Sequence, residues 1–513
     1  MHTVPFASFT GPALRAAAHV RVRRWDALTK DPEPAQRETL RWLCHRAANT
    51  DFGAAHRLGD CASWEEFRDA VPVREYGEFL PWLQRMRAGE HDVLWPGFVP
   101  FFAQSGGTTL GPGGLKYLPV SRDQLRWQTK AAFDVVARYV ELTDARALTG
   151  GYSLGLVPPV VLAREGAVEV SSNPALLLHH APQLSRAFSL PRQPVSAVVD
   201  FEARLTAIAE AYVEHDVRLV AASPCWLPLF FDKLIEAANV RGRRVSTVRE
   251  IWPHLHGLIT GGANPGPYRR LIAERIGSEL PIIDHYNATE AGLVACADRL
   301  DSDELLMVPD RGTFYEFVER GTGGWRVPLW EVKTGRDYAV IISTPSGLLG
   351  YALGDVVRFT SLAPHRVKIV GRVSGGLSPV HEVTSESMIE AAVLAACAKT
   401  DAATIELTSA ADEPTAAGGK SRYRFFIEFA RAPASIPEFT HTLDDELKKQ
   451  NVLYGVYRTN DVLLLPPEVI SLPPGASARF MNALGPRSVQ QKFPRTLDRA
   501  RRTVLETTLT GGE

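Results

Sequence analysis

FFAQSGGTTLGPGGLKYLPVS, Phe101–Ser121, sets two apolar runs around a segment of glycine and threonine that ends at a single lysine, Lys116. A flexible linker would carry few large apolar residues, so the pattern predicts a strand, a tight loop and a second strand inside a packed domain. Glycines let backbone amides approach an anion, and the hydroxyls of Ser105, Thr108 and Thr109, with Lys116, add donors and charge. A phosphate cradle and a structural turn both fit. A Walker loop does not, because it needs glycine directly before the lysine and Ser or Thr directly after it. Here Leu115 and Tyr117 flank Lys116.

The surrounding chain supports a packed, soluble context. Its 513 residues predict two or three domains, and 45% hydrophobic with 22% charged residues is a globular composition. Fifty-seven basic and 58 acidic residues leave a formal charge of −1. Nothing in that balance points to nucleic acid or to an anionic membrane surface. Cys44, Cys61, Cys225, Cys296 and Cys397 lack CxxC spacing, which predicts free thiols in a reducing compartment and no structural zinc. The N-terminal stretch has no continuous apolar core of the signal-peptide kind, and LVAASPCWLPLFF is too short and proline-broken to span a membrane. A cytoplasmic monomer is expected.

Residues 1 to about 95 carry helical spacing, as in PAQRETLRWLCHRAA, and Ser63 with Glu66 has the form of a capping box. From Phe101 to about Phe359 short apolar strands alternate with helical segments, among them RLVAAS, HGLITGG and PIIDHY as strands. That alternation predicts an α/β domain with mostly parallel sheets, whose ligands would sit at the carboxyl ends of strands. After Arg372 the pattern changes to a small α+β unit of about 130 residues. The expected boundaries are 1–372 and 373–513.

Several short constellations could carry chemistry. GYSLG, Gly151–Gly155, has the spacing of a nucleophile elbow, but Val157-Pro158-Pro159 cannot start the required helix, so Ser153 is expected to be a turn serine. TGGANPG places Gly261, Gly262 and Ala263 just beyond a strand, suited to a planar ring or a phosphate and equally to an ordinary strand-to-helix turn. YNATEAG offers the Tyr286 ring, Asn287, Ala288, the Thr289 hydroxyl and a Glu290 carboxylate able to hold magnesium. A Thr-Glu pair standing alone usually means a helix start. In GYALGDVVRF, Asp355 could accept two hydrogen bonds from a ribose diol, or serve only as a turn aspartate. Lys492 in VQQKFPR reads by itself as a solvated surface charge.

Their order, SGGTT…K, GGA, YxATE, YxxGD, GR and a late QxK, resembles the adenylate-forming superfamily that includes firefly luciferase. More closely, with NTDFGAAH and EEFRDAVPVREYGEFLPWLQRMRAGE upstream, the chain resembles the Gretchen Hagen family of auxin-responsive acyl acid amido synthetases, from about Asn49 to Arg495. The resemblance implies a large N-terminal adenylate-forming domain and a smaller mobile C-terminal domain that rotates about the stretch near Ser374. It implies ATP and Mg²⁺ as cofactors. Ser105, Gly106, Gly107, Thr108 and Thr109 would wrap the ATP phosphates, and Gly261, Gly262 and Ala263 would line the adenine with Tyr286 stacked nearby. Thr289 and Glu290 would bind phosphate and magnesium, Asp355 the ribose, Arg372 would close the site, and Lys492 would meet the α-phosphate. Gly106 replaces the family's usual second serine, about two extra residues precede Lys116, and the closing pattern is reduced to SVQQKFP.

The activity so implied joins an acyl acid to an amine, an amino acid being expected, through an acyl-adenylate. A thiol or alcohol acceptor, or a non-catalytic nucleotide-binding protein, are the alternatives. Gln124 to Val140 and Leu176 to Phe188 are expected to form an apolar acyl pocket. His179 and His180 could reach the acid, but are more simply surface histidines.

Overall fold

The computed structural model describes residues 7–106, 115–143, 150–160, 163–300, 302–320, 324–373, 375–379, 382, 384–412, 420–461, 463–484 and 493–510. Gly107, Thr108, Thr109, Ser374 and Lys492 lie outside these residues. The chain forms two compact units. Most of the first is made by Leu115–Pro265 and Ile272–Lys368 with the segment through Ser105, and most of the second by Ile369–Glu513 with Gly266–Leu271.

The first unit opens with α1 (Ala7–Leu28), α2 (Glu33–Ala47), α3 (Asp51–Ala55), α4 (Trp64–Ala70) and α5 (Tyr76–Arg87). Their starts follow from their caps. Thr50 accepts from the Gly53 amide, and Ser63 with Glu66 makes the expected capping box. On α2 the buried positions Leu40, Leu43, Cys44 and Ala47 recur three and four apart, the stripe that a helix buries against a core. Trp25, Phe52, Phe67 and Phe79 from these helices join the same core as the strands that follow.

β1 (Phe101–Gly106) and β2 (Leu115–Val120) are the two strands expected on either side of the glycine-rich segment. They lie in a four-stranded sheet, order β2-β1-β5-β4, with β4 (Ala163–Glu165) and β5 (Val168–Ser172). β1 and β5 run parallel, Phe101 opposite Glu169 and Gln104 opposite Ser172. Two helices flank this sheet in sequence, α6 (Arg122–Thr143) after β2 and α7 (Asn173–His179) after β5.

The large sheet has twelve strands. One half is parallel: β6 (Ser189–Leu190), β3 (Tyr152–Gly155), β7 (Val217–Ala222), β8 (Gly257–Gly261) and β9 (Ile282–Ala288). Helical crossovers separate β7 from β8, through α8 (Trp226–Val240), and β8 from β9, through α9 (Arg269–Ile276). The other half corrects the expectation of mostly parallel sheets. It continues through β10 (Gly292–Ala297), β11 (Leu305–Met307), β16 (His365–Arg372), β15 (Tyr351–Leu362), β14 (Asp337–Ser343), β12 (Phe314–Glu319) and β13 (Arg326–Pro328). The pairs β9–β10, β10–β11, β11–β16, β14–β15, β12–β14 and β12–β13 are antiparallel. The connections decide this, since a parallel return needs a crossover of a dozen or more residues and most of these turns are far shorter. Ser153 lies inside β3, paired between Ser189 and Leu219, and so is a strand residue rather than the expected turn serine.

The second unit is α+β, as its sequence predicts. Strands β17 (Ala403–Asp412), β18 (Arg422–Arg431) and β19 (Glu468–Leu472) form one sheet in that order. α10 (Glu386–Thr400), capped by Ser385, and α11 (Ile436–Gln450), capped by Ser435, pack their apolar stripes on it through Ile389, Val393, Leu443 and Leu447.

Candidate active site

β8 and β9 end side by side, Thr260 opposite Asp284 and Gly261 opposite His285. The Thr260 hydroxyl donates to Asp284 Oδ1 at 2.9 Å. Gly261 has an immediate packing reason to be glycine: a Cβ there would stand 2.6 Å from His285 Cε1. The imidazole is hydrogen-bonded to the Thr260 backbone, and burial holds its pKa below the ordinary value. Gly262 adopts φ +86°, the left-handed region that favours glycine, and Ala263 is half-buried beyond it.

On β9, Tyr286 is buried, Asn287 is exposed and Ala288 pairs with Gly292 across the hairpin. Thr289 and Glu290 form the turn of that hairpin and do not start a helix, so the sequence-level alternative for this pair is excluded. Tyr286 donates its phenolic hydrogen to Asp355 Oδ2 at 2.6 Å. β9 and β15 are four steps apart in the sheet, about 19 Å if the sheet were flat. Two side chains cannot span that distance, so the sheet must curl to bring them together.

A second link lies beside it. Tyr351, at the start of β15, donates to Glu290 Oε1 at 3.3 Å and accepts from Lys116 Nζ at 3.3 Å. Lys116 is only 7% exposed, and its ammonium stands 5.3 Å from the Tyr76 ring centroid and 5.9 Å from that of Tyr351. Aromatic faces compensate part of the cost of burying that charge. Gln124 Nε2 on α6 donates to the Glu290 carbonyl at 3.3 Å. Ser105, half-buried, and the backbone of Gly106 close β1.

The structure thus brings together Tyr286 with Asp355, Glu290 with Lys116, and Gly261 with the β9 end. Arg372 belongs to the second unit, where it lowers a Glu386 carboxyl whose pKa burial raises above the ordinary range. Just beyond Lys492, Phe493 packs against Phe480, and Arg495 pairs with Glu390 and Glu406 at 2.8 and 2.9 Å. His179 and His180 are both exposed. Sequence reasoning missed Tyr351, whose one signal was its place four residues before Asp355 in YALGD, and His285, whose ring explains Gly261.

Among the described residues no group of three or more His, Cys, Asp or Glu side chains could hold a metal ion. A magnesium ion needs no such cage, since it is held by one or two carboxylates together with substrate phosphates and water. Glu290, half-buried in an open turn, fits a cation that arrives with a nucleotide. No described helix is long and apolar enough to cross a membrane.

The GH3 family N-terminal domain matches residues 21–155, the family's central domain residues 306–372 and its C-terminal domain residues 387–501, together more than half of the chain and in family order. The chain belongs to the GH3 family. This is the Gretchen Hagen family to which the motifs pointed. A jasmonoyl–L-amino acid synthetase of Nicotiana attenuata is 22% identical over 407 residues, covering 66% of this GH3 chain and 68% of that protein. A probable indole-3-acetic acid-amido synthetase of Oryza sativa subsp. japonica is 31% identical over 183 residues, 33% of this chain and 29% of that one. Among solved structures, a GH3.15 acyl acid amido synthetase superposes with a TM-score of 0.77 at 18% identity, over 95% of both chains. A 2-hydroxyisobutyryl-CoA ligase shares the fold at a TM-score of 0.58 and 14% identity, over 93% of this chain and 92% of that one. As a GH3 protein the chain is an amido synthetase, a ligase that activates an acyl acid and forms an amide.

Proposed function

We propose that this GH3 chain uses ATP to adenylate a carboxylic acid at the carboxyl ends of β8 and β9, then transfers the acyl group to an amino acid. In the first half-reaction a carboxylate oxygen of the acid attacks the α-phosphorus, a new P–O bond forms, and the bond to pyrophosphate breaks. In the second, the amine nitrogen attacks the acyl carbon, AMP leaves with the electron pair of the acyl–oxygen bond, and the nitrogen gives up a proton.

The observation that carries this reading is the Tyr286–Asp355 hydrogen bond beside the Glu290–Tyr351–Lys116 chain. Asp355 offers a carboxylate to the ribose hydroxyls, and Tyr286 fixes its orientation. Ser105 and the amides that follow it would hold phosphate oxygens, with the Thr289 hydroxyl as a further donor. Lys116 would oppose the charge of two approaching anions, as preorganised cations do in phosphoryl chemistry. Glu290 would hold Mg²⁺, which supplies further neutralisation of phosphate charge when bound. Arg372, Lys492 and a rotation of the C-terminal domain between half-reactions belong to the same proposal and rest on the family resemblance. So do the cytoplasmic location and the monomeric state.

The test is ATP–pyrophosphate exchange by the purified chain with a pool of carboxylic acids, followed by mass spectrometry after adding amino acids or coenzyme A. Exchange with at least one acid and an N-acyl amino acid product are expected. Exchange with no acid would overturn adenylation, and a thioester in place of an amide would overturn the acceptor.

A further inference from the structure

Three buried amide side chains on α6 and α7 carry polar atoms that no described residue engages. Gln124, Gln128 and Asn173 are 2%, 4% and 1% exposed. Gln124 Oε1, both polar atoms of Gln128 and both of Asn173 have no hydrogen-bond partner among the described residues. Buried polar groups are nearly always paired, and an orphaned one is costly, so five on two helices that share one apolar cluster point to a bound partner.

Their placement comes from three elements. Gln124 and Gln128 are one turn apart on α6 and share a face. That face meets the β9–β10 hairpin, because Gln124 donates to the Glu290 carbonyl and Gln128 Cγ lies 2.8 Å from where a Cβ on Gly292 would stand. Asn173 begins α7 at the carboxyl end of β5. The parallel register of β5 with β1 ends at Ser172 opposite Gln104, so Asn173 follows directly where β1 continues to Ser105. Leu125 and Leu176, in one apolar cluster with Phe101, Ala103 and Val120, hold α6 and α7 against the small sheet. All of these residues belong to the first unit.

The chemistry of the five atoms restricts the occupant. The Glu290 carbonyl fixes the orientation of the Gln124 amide, leaving its oxygen as an acceptor. The set then offers three acceptor oxygens and two NH₂ donors. A phosphate or carboxylate accepts only, an ammonium donates only, and a hydrocarbon does neither. A group that both donates and accepts matches this set, and a hydroxyl is the simplest such group that an acyl acid can carry. We infer that Gln124, Gln128 and Asn173 form a polar subsite that selects acyl acids bearing an uncharged hydroxyl group, in place of the purely apolar acid that the flanking helices suggest. The inference rests on the acyl-adenylating reading above and adds the substrate class to it.

The experiment pairs each hydroxylated acid with its deoxy analogue: salicylate with benzoate, 4-hydroxyphenylacetate with phenylacetate, and 3-hydroxydecanoate with decanoate. Calorimetric binding and ATP–pyrophosphate exchange are measured for the intact chain and for Gln128→Leu, Gln128→Met and Asn173→Leu. The intact chain should prefer the hydroxylated member of at least one pair by roughly tenfold or more, as sites built to hydrogen-bond a substrate hydroxyl do. The Gln128 variants should lose that preference through weaker use of the hydroxylated acid alone. Their melting temperature should not fall, because an orphaned amide has been replaced by an apolar group of similar size. Preference in binding without exchange with any acid would support this inference and overturn the ligase reading. Exchange without preference in any pair, a preference that survives all three substitutions, or no binding of any acid would overturn the inference.

Discussion

Tyr286 and Asp355, 69 residues apart in sequence and on strands four steps apart in the sheet, share a 2.6 Å hydrogen bond. The phenol donates to this carboxylate and helps to hold its orientation. Tyr286→Phe keeps the ring and removes this bond. A hydrogen bond to a charged group contributes about 1.5–3 kcal/mol, so the KM for ATP should rise roughly tenfold or more with little change in fold. Asp355→Ala should give a larger increase. Steady-state ATP titrations alongside melting curves check both, and an unchanged KM in a fully folded Asp355→Ala variant would remove Asp355 from the ribose site.

Glu290 is the metal candidate, and an amide oxygen is a poorer ligand for a hard cation than a carboxylate. Glu290→Gln should shift the magnesium titration of pyrophosphate exchange to higher concentration by about tenfold. A superimposable titration would leave Glu290 as a hairpin-turn residue.

Tyr351 joins Lys116 to Glu290. Tyr351→Phe takes one partner from each of two charged groups near the core, at a cost of about 1–3 kcal/mol in stability. Because the buried ammonium then keeps fewer contacts, pyrophosphate exchange should fall more than amide formation from presynthesised adenylate. Equal losses in both half-reactions would indicate general damage.

Gly261 is filled from outside by His285. Gly261→Ala forces the imidazole to move, and overpacking of this kind costs about 1–3 kcal/mol. Denaturant unfolding reads that cost directly. The double change Gly261→Ala with His285→Ala should recover part of it, whereas purely additive effects would show that the ring is not what excludes a side chain.

Burial pushes the Cys44 thiol up to about 12 and the Cys397 thiol up to about 11, from an ordinary 9.0. Below the ordinary value both folded and unfolded chains hold these protons, so the stability is fully present there. As pH rises beyond it the unfolded chain ionises first, and each thiol removes about 1.4 kcal/mol per pH unit until its folded value is reached. Urea midpoints should therefore fall steeply between about pH 9 and 11. Cys44→Ala, although weaker at neutral pH through its cavity, should show a shallower alkaline slope. An unaltered slope would place that loss elsewhere.

Much of the fold was legible because local pattern and tertiary role agreed. The Ser63–Glu66 box, the strand pair around the glycine-rich segment and the helix–strand alternation through β9 each announced themselves by spacing. The antiparallel half of the large sheet did not, because strands buried on both faces look alike in either direction and only the lengths of their connections give them away. Thr289 and Glu290 were misjudged in one alternative for a similar reason, since a Thr-Glu pair reads as a helix start until Gly292, at φ +77°, is seen to close a hairpin.

By itself the sequence determined the residue chemistry and its order along the chain: the glycine-rich segment before Lys116, the Tyr286–Glu290 motif, and Asp355 after Gly354. Order survives in a sequence because motifs are local. The tertiary structure alone decided which of these groups meet. Tyr351 bridges Lys116 and Glu290 from positions 235 and 61 residues away, and the curl of the sheet sets Tyr286 on Asp355. The orphaned amides of Gln124, Gln128 and Asn173 look like ordinary polar residues of amphipathic helices until packing buries them. Hydrogen-bond satisfaction is a property of the whole packed neighbourhood, and no window along the chain contains it.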